Sequence, residues 1–148
     1  MAGQFEGTTE ISRPIAEVFA FLAAGTNDPA FSPRVQKIEK VTDGEVGVGT
    51  VFASTVRDAG MTTRREFRIT EFAAPTRIRW AEQSKNLVTA EEGGYDLTAV
   101  SDDTTRVRVF NRLAGHGAGK LIAGLALRAA RKDAPAFAAR IKAAVEAS

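Results

Sequence analysis

The sequence predicts an α+β fold in which a seven-stranded, curved antiparallel sheet wraps a long C-terminal helix, in the order β-α-α-β6-α. Three observations carry that expectation. The chain opens with a strand of strict alternation that runs directly into a helix. Residues 35–113 then read as six strands joined by short turns. From about Gly117 to Ala147 the chain is rich in Ala and Leu and reads as one helix, the only long element left to cover the apolar face of the sheet.

In the first strand, residues 4–12, Phe5, Gly7, Thr9 and Ile11 share one face and Gln4, Glu6, Thr8 and Glu10 the other. This period of two marks a half-buried strand. Ser12-Arg13-Pro14 follows, a serine able to cap a helix with proline in the first turn. Ile15, Val18, Phe19 and Leu22 keep helical spacing until Gly25 ends the run. Asn27 to Pro33, with two prolines, reads as a loop or one short helical turn. The six later strands are expected at about 35–42, 50–58, 61–72, 77–84, 87–100 and 104–113, with Pro135 kinking the final helix.

The hairpins can be checked against one another, because each loop fixes which residues face each other. A two-residue loop at Ala59-Gly60 sets Phe52 opposite Phe67, Ser54 opposite Arg65 and Val56 opposite Thr63. A loop at 73–76 sets Ile69 opposite Trp80 and Phe67 opposite Glu82. A two-residue loop at Lys85-Asn86 sets Thr89 opposite Glu82 and Glu91 opposite Trp80. A loop at 101–103 sets Tyr95 opposite Val109 and Leu97 opposite Val107. Phe52, Phe67, Ile69, Ile78, Trp80, Tyr95, Leu97, Val107 and Val109 then all fall on one face.

Composition narrows the function classes. A chain of 148 residues fits one domain, 1–148, which buries roughly two thirds of its unfolded surface. No run of about 18 apolar residues is present, so no membrane-spanning helix is expected. The N-terminus lacks a basic head followed by an apolar stretch, and no secretion signal is expected. The absence of cysteine excludes disulfides, thiol catalysis and thiolate-bound metal, and makes the cytoplasm the expected compartment. Net charge is only +2 and basic residues mix with acids, against a nucleic-acid partner. His116 is the sole histidine, so neither a histidine metal cluster nor any cofactor is expected. The segment Ala114 to Lys120 is no phosphate loop, because Ala114 and Leu121 stand where glycine and a hydroxyl residue are needed.

The sequence resembles the START-related superfamily of polyketide cyclases, dehydrases and lipid carriers (SRPBCC) over the whole chain. Ile11-Ser12-Arg13-Pro14-Ile15-Ala16-Glu17-Val18-Phe19 is similar to that family's strand-to-helix entry, and Val46-Gly47-Val48-Gly49-Thr50 to its glycine-rich approach to the third strand. Ile69-Thr70-Glu71-Phe72-Ala73-Ala74-Pro75 resembles its usual turn, and Tyr95-Asp96-Leu97 with Thr105-Arg106-Val107 its last hairpin. The resemblance implies a helix-grip fold with a cavity between sheet and final helix. These motifs specify fold and are shared by binders and enzymes.

Arg65, Glu82, Glu91, Tyr95 and Asn111 share the parity of the core residues and are expected to point inward. With Phe52, Phe67 and Trp80 they form the expected ligand-binding set. A few polar groups in an apolar cavity is the usual composition of a small-molecule site. Arg65 lies diagonal to Glu82, and Asn111 opposite Gly93, where the missing side chain would leave room for a ligand. A bulge at Gly93-Gly94 would instead turn Glu91 outward. The basic residues Arg128, Arg131, Lys132, Arg140 and Lys142 read as a solvated helix face. No catalytic constellation stands out, and no residue is assigned to catalysis or metal. The sequence therefore points to a non-catalytic binder or carrier of a small hydrophobic molecule (lipid, polyketide or quinone-like), monomeric or homodimeric. The alternative is a polyketide cyclase or dehydratase in which Glu82, Glu91, Tyr95 or Asn111 positions an enol and moves a proton. The expected cavity lies between the sheet and the small residues Gly117, Ala118, Gly119, Ala123, Gly124 and Ala126, with Trp80 lining it.

Overall fold

A computed structural model of the chain describes residues 2–58 and 60–148. Strand β1 (Ala2–Ile11) leads into helix α1 (Ile15–Ala23) and a 3-10 helix (Gly25–Ala30). Strands β2 (Val35–Lys40), β3 (Val51–Asp58), β4 (Met61–Ala73), β5 (Arg77–Glu82), β6 (Val88–Ser101) and β7 (Thr104–Gly115) follow, and helix α2 (Gly119–Glu146) ends the fold. The strands form one antiparallel sheet in the order β1-β7-β6-β5-β4-β3-β2. Consecutive strands are neighbours throughout, except that β1 returns to pair with the last strand.

Short turns fixed most of the register in advance. Phe52 faces Phe67, Ser54 faces Arg65, Ile69 faces Trp80 and Tyr95 faces Val109, as the loop lengths require. The turn between β3 and β4 includes Ala59, which lies outside the described residues; the flanking Asp58 and Met61 pair directly. One hairpin departs from expectation. The β5–β6 connection spans residues 83–87 rather than two residues, so Trp80 faces Gly93 and Ile78 faces Tyr95. Thr89 and Glu91 therefore do not face Glu82 and Trp80. The shift is two residues, so inward and outward sides are kept from Gly93 onward, whereas before it Val88 and Ala90 face inward in place of Thr89 and Glu91.

The concave face carries the core: Ile11, Ile69, Ile78, Leu97, Val107 and Val109 meet Val18, Phe19 and Leu22 of α1 and Ile141 and Val145 of α2. Phe19 packs edge-on against Phe72 with ring centres 5.2 Å apart, and Phe31 against Phe137 at 5.8 Å. On the opposite face Phe110 is sheltered by Arg79 and Arg108, whose guanidinium carbons stand 4.9 and 4.7 Å from its ring centre. Both arginines also bond Asp96, at 2.8 and 2.9 Å. Planar guanidinium groups can stack and pair at once, so they cover an apolar ring that no helix reaches.

Ser12 does not cap α1 through its side chain. Its amide instead donates to Glu146 of α2 at 2.8 Å, and Pro14 occupies the cap position. The helix α2 runs unbroken through Pro135. Its basic residues do more than meet solvent. Arg131 donates to the Gln4 carbonyl at 3.1 Å, Arg140 to Phe31 at 3.1 Å and Lys142 to Glu10 at 2.8 Å. These bonds tie the helix to β1 and to the end of the 3-10 helix. A Cβ on Gly7 would stand 2.8 Å from the Ala134 carbonyl oxygen, so this close approach of helix to strand needs glycine.

Candidate functional site

A cavity of about 600 Å³ lies between the concave sheet and α2. Its floor is β3 to β7, one wall is the 3-10 helix with the end of α1, and its roof is Ile122, Ala126 and Ala130 of α2. The roof residues are spaced by four and so share one helix face. Of the small residues expected to face the sheet, only Ala126 lines the cavity. Gly119 packs on Leu87, Ala123 is buried without lining the cavity, and Gly117, Ala118 and Gly124 are exposed.

Phe52, Arg65, Phe67, Trp80, Tyr95 and Asn111 line the cavity; Glu82 and Glu91 do not. Glu91 sits at a bulge between Ala90 and Glu92 that turns it outward, where it pairs with Arg112 at 3.5 Å. The outward turn thus arises at Glu91 itself and not at Gly93-Gly94. Glu82 has a side chain 0% exposed and stands behind the wall. Its carboxylate accepts from Arg65 at 2.9 Å, the Ala90 amide at 2.9 Å, Ser84 at 2.6 Å and Asn86 at 2.7 Å. Four donors from the protein engage it, and they make it the tie that holds the 83–88 segment to β4. Arg65, on the cavity side, is thereby neutralised.

Trp80 and Asn111 are also partnered. The indole N–H donates to Asn111 Oδ1 at 3.1 Å, and the indole meets the Tyr95 ring edge-on at 5.0 Å. The space above Gly93 is not left for a ligand, because a Cβ there would collide with Asn111 Oδ1 and Trp80 Nε1. The glycine admits the protein's own pair. His116 is exposed, and its Nε2 is 2.8 Å from Thr89 Oγ1 beside a shallow depression on the outer surface.

One residue of the cavity went unnoticed in the sequence. Asp28, in the 3-10 helix, lines the cavity facing the sheet, and burial pushes its pKa from 3.8 up to about 7. Desolvation is the cause of that shift, and among the described residues Asp28 forms no ion pair. The Tyr95 hydroxyl is raised well above its ordinary value, first by burial and then by the charge of Asp28. The two groups are thus electrostatically coupled within one apolar chamber. Asp28 falls in an aperiodic stretch, between the polar Asn27 and Pro29, where no repeat shows which way a side chain points, so the sequence carried no signal for it. Among the described residues no group of three or more His, Cys, Asp or Glu side chains could hold a metal ion.

The family model described as polyketide cyclase / dehydrase and lipid transport matches residues 2–146. The chain belongs to that family. The START-related resemblance read from the sequence, and the helix-grip fold it implied, both hold. Among solved structures, the Zhui aromatase/cyclase from Streptomyces sp. R1128 is similar with a TM-score of 0.79 at 18% identity, over 99% of this chain and 93% of that one. A START superfamily protein from Mycobacterium smegmatis is similar with a TM-score of 0.69 at 15% identity, over 95% and 97%. At these identities the likeness is one of fold. No curated protein matches the chain by sequence. Among the described residues no helix is long and apolar enough to cross a membrane.

Proposed function

We propose that the chain binds and carries a small, largely apolar molecule in the cavity between sheet and α2. The observation that carries this reading is the cavity itself. At about 600 Å³ it is within the range of small-molecule sites, and its walls are mainly aliphatic and aromatic. Most of its polar lining is already satisfied by protein: Arg65 by Glu82 and the indole by Asn111. Such groups orient a ligand without needing one. Phe52, Phe67, Trp80 and Tyr95 would supply flat contact area, with Arg65 and Asn111 as polar edges.

Trp80, the only tryptophan, reports on the site without any label. Titration with a panel of lipids, flavonoids and quinones should shift its emission as water leaves the indole, with calorimetry confirming each binding event. Binding that leaves Trp80 silent would place the pocket elsewhere. Native mass spectrometry of the purified chain would weigh whatever it retains.

A second reading, cyclase or dehydratase chemistry, is favoured by one observation. Asp28, with a pKa near 7, is a carboxyl that can give or take a proton at neutral pH. Tyr95 would hold the enol oxygen. The carboxylates first suggested for this role, Glu82 and Glu91, are not in the cavity. Turnover of a poly-β-ketone probe into a cyclised aromatic, lost in Asp28→Asn with binding retained, would establish this reading; binding without turnover would leave the carrier.

A further inference from the structure

We infer that the cavity selects a ligand carrying a basic nitrogen, with Asp28 as the partner of its ammonium group. This rests on the cavity-binding reading above and names the chemistry of what enters. Among the described residues, Asp28 is the one carboxyl lining the cavity that forms no ion pair; the other, Asp58, pairs with Arg34. The charged groups of the elements around it are already engaged or face away. Arg34 and Asp58 pair at 3.5 Å at the mouth, Arg65 pairs with Glu82, and Arg140 of α2 pairs with Asp133 at 2.8 Å. Lys40 of β2 donates to the Thr42 and Gly44 carbonyls, while Glu17 of α1 and Lys37 and Glu39 of β2 are exposed. Tyr95 of β6 is the remaining titratable group, and it is neutral.

A carboxylate that is part-buried in a largely apolar cavity and has no ion-pair partner is costly, and three kinds of ligand meet it differently. An apolar body with a carboxylate brings like charge and is repelled once Asp28 ionises. An alcohol offers one neutral hydrogen bond. A primary amine, charged up to about pH 10, supplies the missing cation and several donors together. Charge-assisted bonds are roughly twice as strong as neutral ones, so the amine is favoured. Trp80 and Tyr95, packed edge-on against each other, both line this cavity and offer ring surface to an aromatic body behind the nitrogen.

Three naphthyl probes that differ only in the polar end test this by calorimetry: 2-naphthylethylamine, 2-naphthylethanol and 2-naphthylacetate. At about pH 8 the wild-type chain should bind the amine at least about tenfold more tightly than the alcohol, and the carboxylate most weakly. Asp28→Asn should abolish the preference for the amine while keeping the alcohol. In the wild-type chain, affinity for the amine should rise as pH increases through about 7, where Asp28 loses its proton, and then level off. Equal affinity for amine and alcohol, or a preference that survives Asp28→Asn, overturns the inference and leaves the cavity reading standing. An amine affinity flat from about pH 5.5 to 8.5 overturns it without any variant, which covers an Asp28→Asn chain that does not fold. Failure of all three probes to bind overturns the cavity reading and this inference together.

Discussion

The C-terminal half of α2 buries Ala134, Ala138, Ile141 and Val145, and its Arg140 and Lys142 bond the carbonyls of Phe31 and of Glu10 in β1. The N-terminal half buries only Gly119 and Ala123, leaves Leu121 83% and Leu125 68% exposed, and sets Ile122, Ala126 and Ala130 across the cavity from the sheet. One continuous helix thus does two opposite things. At one end it is clamped, with Gly7 letting the backbones nearly touch; at the other it stands off and leaves a chamber. Packing is concentrated where the helix closes on the sheet, and the chamber sits where it does not.

The largest expected effect tests the clamped end. Ile141→Ala removes a side chain that is 0% exposed and should cost about 2–5 kcal/mol in chemical denaturation. Ile122→Ala, in the cavity roof, should cost less than about 1 kcal/mol, because Ile122 is already 46% exposed. Similar losses from the two would erase the distinction between the halves.

The next effect concerns the chamber and changes with pH. Asp28 has a folded pKa of about 7 against 3.8 in an unfolded chain. Its neutral form is favoured by folding, so stability is fully present below about pH 4 and is lost as pH rises through about 7. Asp28→Asn should therefore stabilise the chain at about pH 8, by about 2–4 kcal/mol, and change nothing at about pH 4. Thermal melts across that interval measure it, and a gain that does not vary with pH would assign it to some cause other than charge.

Arg65→Ala should cost about 2 kcal/mol, more than a surface pair, because it leaves the enclosed Glu82 carboxylate without its cation. Adding Glu82→Gln should recover part of the loss. An unchanged midpoint for Arg65→Ala would mean that the backbone and hydroxyl donors alone satisfy Glu82. The smallest effect belongs to Leu125→Gln on the exposed side of α2, expected within about 0.5 kcal/mol. A loss several times larger would reveal that this face is covered in solution.

The sequence was readable where local rules bind tightly. Alternation placed β1, and loop length set Phe52 against Phe67 and Tyr95 against Val109. It was unreadable where a single residue of slack decides the outcome. Residues 83–87 contain two candidate turn residues, Lys85 and Asn86, yet the whole stretch is loop, because Glu82 draws Ser84, Asn86 and the Ala90 amide around itself. The bulge at Glu91 leaves no trace in the pattern, since the neighbours on both sides remain strand-like. Asp28 was missed for a further reason. A 3-10 turn has no amphipathic period long enough to read, so a side chain's direction is fixed only by what packs against it.

Gly93 has a consequence for how this chain can change over generations. Any side chain at position 93 meets the indole of Trp80 and the amide of Asn111, which already fill the space above it. Positions 80, 93 and 111 lie on three adjacent strands, and position 93 is bound to glycine for as long as the other two keep their side chains. A lineage that replaces the glycine must first shed the tryptophan or the asparagine. The shape of the chamber would then change in a step, not by gradual drift.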